Sequence, residues 1–273
     1  MGARSAPASP SFEPNDAGPV MGVNGVCCWC QDYAVECDPI ANSRYYLRSY
    51  DDGPDKGPNP KWFKLFVLLK SGFIKVQVRF KYERYGPTTQ AELDVAIEGL
   101  TKAAQSWTGH IAIRIEDPLC GPRVLPVQFE ALPVLSEPHY IVTVFQWLPP
   151  EFQVENQQRA HVEGNQMRLL TSSTREWTFT HEYGHCVGLP DEYGRSPEVE
   201  RVTYMTPQGP PDPPIDVDAR GVGARGQELN VMSTHGQYKR SKRHGYFVAI
   251  ETQELLTEVL GRPIRCFVER PTE

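Results

Sequence analysis

The chain has 273 residues, with 28 Lys and Arg against 34 Asp and Glu and a formal net charge of −6. Its length allows one large domain or one domain with an appendage, and 40% hydrophobic with 23% charged residues is the composition of a folded protein rather than a disordered one. The mild acidity argues against a general nucleic-acid binder, which normally carries a basic surplus. The longest apolar run, Trp62 to Leu69, is interrupted by Lys64 and is too short to span a bilayer.

Residues 1–60 are rich in Pro, Gly, Ser and Asp, which predicts a mostly irregular N-terminal arm. The beginning of this arm lacks the apolar core of a secretory signal peptide. Four cysteines cluster in the arm and three are scattered beyond it: Cys27, Cys28, Cys30 and Cys37, then Cys120, Cys186 and Cys266. The cluster fits disulfides formed in an oxidising compartment, a zinc site without its usual second ligand pair, or plain thiols.

Residues 61–273 are predicted to form the main domain, and its first half combines strands with one helix. Apolar residues alternate with polar ones from Val76 to Tyr82, which indicates a half-buried strand, and Trp62 to Leu69 supplies the strand before it. A helix follows Thr88 and Thr89, which are good N-caps, with apolar residues at helical spacing at Leu93, Ile97, Leu100, Ala104 and Trp107. Three more strands are predicted at His110–Glu116, Val124–Ala131 and Tyr140–Trp147.

The second half is predicted to contain two helices separated by a long loop. A polar stretch from Pro149 to Gly164 precedes a helix that begins near Ser173 or Thr174 and runs to Val187. The Pro- and Gly-rich segment from Gly194 to Gly226 shows no periodicity, and Phe247–Leu260 forms the next helix, with Gly261 as its stop signal. This order of elements predicts an α/β fold in two lobes.

Residues 181 to 185 read His-Glu-Tyr-Gly-His, and this motif carries the chemistry. On a helix, His181 and His185 lie one turn apart on the same face, so both imidazoles can bind one zinc ion. Glu182 lies beside them, where it can take a proton from a zinc-activated water and pass it to a leaving amine. The alternative is a helix with two surface histidines near a core glutamate. The apolar residues before His181, and Gly188 as a left-handed helix end that returns the chain towards the metal, favour the zinc hydrolase.

The run HEYGHCVGLPDEY resembles the metzincin pattern of zinc peptidases, and Leu229-Asn-Val-Met232-Ser233 resembles the Met-turn of the same clan. The resemblance covers about residues 62 to 260, with its specific motifs at 181–193 and 229–233. It implies a two-lobed zincin with a mixed twisted sheet, an active-site helix and a C-terminal helix. Asp191 stands where most metzincins have the third histidine, and a carboxylate is an acceptable zinc ligand.

The third ligand is therefore open between two carboxylates. The HExxHxxGLxDEY run with a later glutamate also resembles metallopeptidase effector domains on spike proteins of bacterial type VI secretion systems. On that resemblance Glu228 is favoured over Asp191, which, with Glu192, would then orient the histidines from outside the metal shell. As a simpler alternative, Asp191 is only a turn residue at the helix exit.

Three residues are candidate hydrogen-bond donors to a developing oxyanion, namely His235, Tyr238 and Tyr204, with His235 preferred. Met232 is predicted to support the site as an apolar side chain rather than to bind the metal. The basic run from Lys239 to His244 is interpreted as solvated surface, as short charge runs usually are.

The sequence thus predicts a zinc-dependent endopeptidase whose substrate is a polypeptide and whose cofactor is Zn²⁺. The effector resemblance and the missing signal peptide imply a bacterial toxin, made in the cytoplasm and delivered into the periplasm or cytoplasm of a target cell. Its expected partners are then a secretion-spike carrier and an immunity protein, with no nucleic acid and no membrane span. The alternatives are a non-catalytic module that keeps zinc as a structural clip and a zinc peptidase that cleaves cell-wall peptides.

Overall fold

The computed structural model describes residues 20–21, 27–37, 45–50, 62–147, 160–171, 174–192, 200–209, 212–213, 215–217, 230–233 and 239–269. These residues form a mixed α/β structure, which confirms the predicted fold class. The strands are β1 Val20–Met21, β2 Cys27–Cys28, β3 Tyr33–Glu36, β4 Tyr46–Tyr50, β5 Lys64–Leu68, β6 Phe73–Arg84, β7 Ala112–Asp117, β8 Gly121–Pro133, β9 Tyr140–Phe145, β10 His161–Glu163, β11 Gln166–Leu170, β12 Glu200–Tyr204, β13 Ile215–Val217 and β14 Arg265–Glu269. The helices are α1 Gln90–Trp107, α2 Glu176–Cys186 and α3 Tyr246–Leu260.

A large mixed sheet forms the centre of the fold. Its strands follow the order β10-β11-β9-β6-β8-β7-β14, and β5 and β3 extend it beside the first half of β6. β6 is parallel to β8 and to β9, and β9 is parallel to β11, whereas β10 runs antiparallel to β11 at one end. Apolar residues alternate along β6 and bury one face, as the two-residue period of the sequence predicts, with Ile74, Val76, Val78 and Phe80 inaccessible to solvent.

Helix α1 covers the buried face of this sheet. Thr89 is its N-cap, and its hydroxyl accepts the Glu92 backbone N–H while the Glu92 carboxylate accepts the Thr89 backbone N–H, which is a complete capping box. Leu100 and Trp107 are fully buried on its inner side, where the helix packs against β8 and α2. The predicted start of this helix is confirmed, as is the burial of Leu100, Ala104 and Trp107, whereas Leu93 and Ile97 are only half-buried.

Part of the N-terminal arm is built into the domain. β3 pairs with β5 at the edge of the large sheet, and β4 pairs with β12 in a second sheet of order β13-β12-β4. A disulfide joins Cys28 of the arm to Cys120, which lies in the turn between β7 and β8, and this confirms the disulfide interpretation of the cysteine cluster. The other described cysteines outside disulfides, namely Cys37, Cys186 and Cys266, are buried thiols.

Four strands, β10 to β13, lie in regions where the sequence predicts no regular structure. β10, at the end of the predicted polar stretch, and β11, which follows it, form a hairpin through Gly164, whose φ is 55°. β12 and β13 lie inside the predicted long loop. These strands have three to five residues each, which is too short to show a clear alternation, and pairing with distant strands such as β4 and β9 stabilises them.

The crossing of α1 and α2 depends on Gly99. A Cβ atom at Gly99 would lie 2.4 Å from Cε2 of Phe179, so the two helices can approach this closely only without a side chain here. We expect Gly99→Ala to destabilise the protein by about 1–3 kcal/mol through overpacking, despite the better helix propensity of Ala. Urea unfolding followed by tryptophan fluorescence measures the change. Phe179→Leu in the same chain should recover part of it, and a Gly99→Ala variant as stable as wild type would contradict the packing.

Candidate metal centre

Helix α2 carries the predicted zinc motif and is buried almost all round, with Trp177, Tyr183 and Cys186 on different sides and each at most 7% exposed. Its end is set by Gly188, which has a φ of 99°, and the Leu189 N–H donates to the Gly184 carbonyl at 3.0 Å. This geometry confirms the predicted left-handed helix end. The chain then returns along the helix, so that Asp191 reaches the histidines.

Three ligand atoms converge at this point. The Nε2 atoms of His181 and His185 lie 3.1 Å apart, and Oδ1 of Asp191 lies 3.1 Å from the first and 3.0 Å from the second. His181 and Asp191 are each 3% exposed. The three residues form a group that could hold a metal ion.

The hydrogen bonds on the far side of each imidazole explain why these atoms would bind a cation. Nδ1 of His181 lies 3.0 Å from the Val231 carbonyl, and Nδ1 of His185 lies 2.8 Å from the Leu189 carbonyl. A carbonyl only accepts, so each Nδ1 carries a proton, and each ring in its neutral form directs an Nε2 lone pair inwards. Two such lone pairs and a carboxylate oxygen repel one another unless a positive charge lies between them. Tetrahedral zinc with bonds of about 2.0–2.1 Å places its ligands roughly 3.3 Å apart, close to the spacing here.

The electrostatics of the site favour positive charge in the same place. Burial acts to lower the pKa of His181, but the hydrogen bond and charge of Asp191, together with Glu182, raise it overall. Burial acts to raise the pKa of Asp191, but the two imidazoles hold it well below its ordinary value. Asp191 therefore stays ionised although it is buried.

Glu182, the predicted general base, is 6% exposed and adjoins His181 on α2. Within the described part of the chain, no hydrogen-bond donor contacts its carboxylate, although the group contributes to the raised pKa of His181. A buried carboxylate normally has such a partner. The Glu182 oxygens are thus available to a molecule that enters the site.

Two further side chains support the histidines. The Trp177 ring stacks on the His181 ring, with centroids 4.8 Å apart and planes 24° apart. Met232 is inaccessible to solvent and packs against α2 at Gly184, where a Cβ atom would lie 2.6 Å from the Met232 sulfur. Met232 is therefore apolar support under the helix, as predicted. Trp177 was missed, although its position four residues before His181 could have indicated the contact.

Glu192 was expected to orient His181 and His185, but its described contacts include neither of these two residues. Its carboxylate is 2% exposed and accepts hydrogen bonds from Tyr204, Asn230, Arg243 and His244. Burial acts to raise the pKa of Glu192, but the hydrogen bonds and charges of Arg243 and His244 hold it far below its ordinary value. The Tyr204 hydroxyl therefore has a structural partner, which argues against it as an oxyanion donor.

The interpretation of the basic run as solvated surface is wrong for its last two residues. His244 is inaccessible to solvent, and the Arg243 side chain is 16% exposed. The sequence shows both as members of a polar run, whereas their partner Glu192 lies about fifty positions earlier. Only the folded chain brings these charges together.

The remaining candidates lie outside the described residues: Glu228, His235 and Tyr238. Asp191, one of the two candidate third ligands, lies next to both His181 and His185. It contacts their Nε2 atoms, whereas a residue that orients the rings from outside would contact the Nδ1 atoms.

No protein-family model matches the sequence, and the search of the curated proteins gave no match either. Among the described residues, none of the helices has the length and apolar character needed to cross a membrane.

Proposed function

We propose that the protein is a zinc-dependent endopeptidase with a metzincin-like fold. The observation that carries the proposal is the convergence of His181 Nε2, His185 Nε2 and Asp191 Oδ1 within 3.0–3.1 Å of one another. The Nδ1 atom of each histidine donates a hydrogen bond to a backbone carbonyl. Nitrogen and carboxylate ligands in this number suit a catalytic zinc site that keeps one position open. The metal would be held by these three residues, with Glu228 as the competing third ligand.

Glu182 is assigned the proton transfers. Bound zinc supplies Lewis-acid activation of a water molecule and of the scissile carbonyl. The Glu182 carboxylate accepts a proton from the attacking water and donates it to the leaving amine nitrogen. Its burial and its lack of a hydrogen-bond donor among the described residues support this role, because its oxygens are then available to contact a water molecule in the site.

Strand β10 is the proposed binding edge for a polypeptide. It is one of the edge strands of the described sheet, runs antiparallel to β11 and packs against α2. An extended peptide can add to such an edge through main-chain hydrogen bonds, which would place its backbone beside the metal group. The order of strands, α1, further strands and α2 supports the metzincin resemblance.

Elemental analysis of the purified protein tests the metal site. We expect one zinc per chain in wild type and in Glu228→Ala, and a loss of zinc in Asp191→Ala, because Asp191 supplies one of the three converging ligand atoms. Circular dichroism controls for folding of each variant. Retention in Asp191→Ala with loss in Glu228→Ala would move the third ligand to Glu228, and a folded wild type without metal would remove the basis of the proposal.

Substrate assays separate the peptidase from its two rivals. Cleavage of unfolded protein supports the endopeptidase. Release of muropeptides from purified peptidoglycan without protein cleavage favours a cell-wall enzyme instead. A protein that binds zinc but cleaves neither substrate would be a non-catalytic module with a metal clip. Among the described residues no donor contacts Glu182, which argues against the last possibility, since a structural site has no use for a buried carboxylate beside the metal.

The biological role that we propose is an effector delivered by a secretion spike and neutralised in its producer by an immunity protein. The Cys28–Cys120 disulfide supports action in an oxidising compartment such as a target cell's periplasm. Growth arrest of a bacterial host by periplasmic wild type, but not by periplasmic Glu182→Gln, is the expected result. Equal growth with both proteins would contradict the role while leaving the enzymology intact.

A further inference from the structure

The buried carboxylate of Glu192 joins three parts of the chain that are distant in sequence. Tyr204 of β12 donates to Oε1 at 2.8 Å, and the Asn230 side-chain amide donates to Oε2 at 2.7 Å. Arg243 donates from Nε to Oε1 at 2.8 Å and from Nη2 to Oε2. Nδ1 of His244 accepts the Ser241 backbone N–H, so its protonated Nε2 donates to Oε1 at 3.1 Å.

Through Asn230, the hydrogen bonds of Glu192 extend to His181 of the candidate metal group. The Asn230 side-chain oxygen accepts the Met232 backbone N–H at 2.8 Å, and the Glu192 backbone N–H donates to the Met232 carbonyl at 2.9 Å. The short turn between Asn230 and Met232 is therefore held from both sides. Its middle residue, Val231, provides the carbonyl that accepts the Nδ1 proton of His181. The position of that carbonyl sets the direction of the His181 ring.

Through the main chain, Glu192 also fixes the third member of the metal group. Asp191 precedes it directly, so the Asp191 side chain can move only as far as the anchored Glu192 backbone allows. Asp191 is 3% exposed and makes its contact with both Nε2 atoms from this anchored position. Two of the three ligand atoms thus depend on one carboxylate that does not touch the metal group.

We propose that Glu192 is a positioning residue that preorganises Asp191 and His181 for metal binding, an inference that rests on the proposed zinc site. A purely structural role is the alternative, since many buried ion pairs contribute only to packing and specificity of the fold. The two roles differ in their effect on the metal. A positioning residue changes metal affinity and the ligand field, whereas a structural ion pair changes stability alone.

Asp117 offers a matched control. Its carboxylate is 3% exposed and accepts hydrogen bonds from Nε and Nη2 of Arg262, at 3.0 and 2.6 Å, much as Glu192 does from Arg243. It lies at the end of β7, and its described contacts are Arg262 and the backbone N–H groups of Leu119 and Cys120. Asp117→Asn therefore removes a comparable buried charge without touching the metal group.

The test compares wild type, Glu192→Gln, Tyr204→Phe and Asp117→Asn. Zinc affinity is measured by competition with a chromophoric chelator, and the visible absorption of the Co²⁺-substituted protein reports the ligand geometry. We expect Glu192→Gln to weaken zinc binding by about 10- to 100-fold, as loss of a supporting residue typically does, and to change the Co²⁺ spectrum. Tyr204→Phe, which removes a single hydroxyl and keeps the charges, should change zinc affinity in the same direction by a smaller factor. It replaces Glu192→Gln as the test variant if Glu192→Gln does not fold.

Urea unfolding of each metal-free variant separates positioning from stability. Asp117→Asn should lose stability while it keeps wild-type zinc affinity and Co²⁺ absorption. Wild-type affinity and spectrum in Glu192→Gln, or in Tyr204→Phe where Glu192→Gln is unfolded, would overturn this proposal alone. A wild-type protein that binds neither Zn²⁺ nor Co²⁺ would overturn the proposed function and this inference together.

Discussion

Glu182→Gln is expected to lower kcat/KM for cleavage of an unfolded protein by about 10²- to 10⁴-fold, the usual contribution of a general base. The amide has the size of the carboxylate but cannot accept the proton of an attacking water. The substitution breaks no side-chain hydrogen bond within the described residues, and Glu182 is not one of the three converging residues that could hold a metal ion. Fold and zinc content should therefore stay at wild-type values, as circular dichroism and elemental analysis would show.

Glu176→Gln is the matched control for this variant, because it makes the same chemical change at an exposed residue in the first turn of the same helix. A fluorescence-quenched casein measures both. Unchanged cleavage by Glu182→Gln would rule out Glu182 as the general base. A loss of zinc from Glu182→Gln, in contrast, would mean that the residue helps to hold the metal, and its effect on cleavage could no longer be assigned to proton transfer.

The fold could be predicted from the sequence wherever a local pattern decided the structure. The helical spacing after Thr89 and the alternation around Val76 each reflect one buried face, so α1 was predicted with nearly correct bounds and β6 was predicted over its central residues. β11 and β12 could not be predicted, because five residues hold too little pattern and the strands that stabilise them, β9 and β4, lie far from them along the chain. The strands within the N-terminal arm were missed for the same reason, since β3 and β4 are edge additions to two different sheets.

The same distinction applies to the site. His181 and His185 were predictable because residues four apart on a helix always share a face. Glu192 was noticed in sequence, but its partners were not, because nothing local shows that Arg243 and Asn230 will surround it. The choice between Asp191 and Glu228 also depends on tertiary structure, and the turn after Gly188 brings Asp191 to the imidazoles. Local geometry predicted which histidines lie together in the candidate metal group, whereas the residues that support them come from long-range contacts.

Loss of the Cys28–Cys120 disulfide should have the largest effect on stability. The bond links residues separated by 92 positions, and for a loop of that length the chain-entropy model predicts about 4–5 kcal/mol at 25 °C as an upper value. It ties the arm to the turn between β7 and β8, and the arm in turn supplies β3 and Tyr45, whose hydroxyl donates to buried Glu251 in α3. We expect a Cys28→Ala, Cys120→Ala double variant to unfold at a much lower urea concentration than wild type.

The experiment uses variants rather than a reductant, because thiol reductants bind zinc and would also reduce the disulfide at Cys30. Cys266→Ala is the control, since it removes a fully buried sulfur that forms no disulfide. It should lower the stability only through the small cavity that it leaves. If the double variant is no less stable than this control, the arm is held by its strand pairings alone. If the double variant is several kcal/mol less stable than the control, a reducing cytoplasm would leave the chain poorly folded. The candidate metal group would then be fully assembled only in an oxidising compartment, where the disulfide can form.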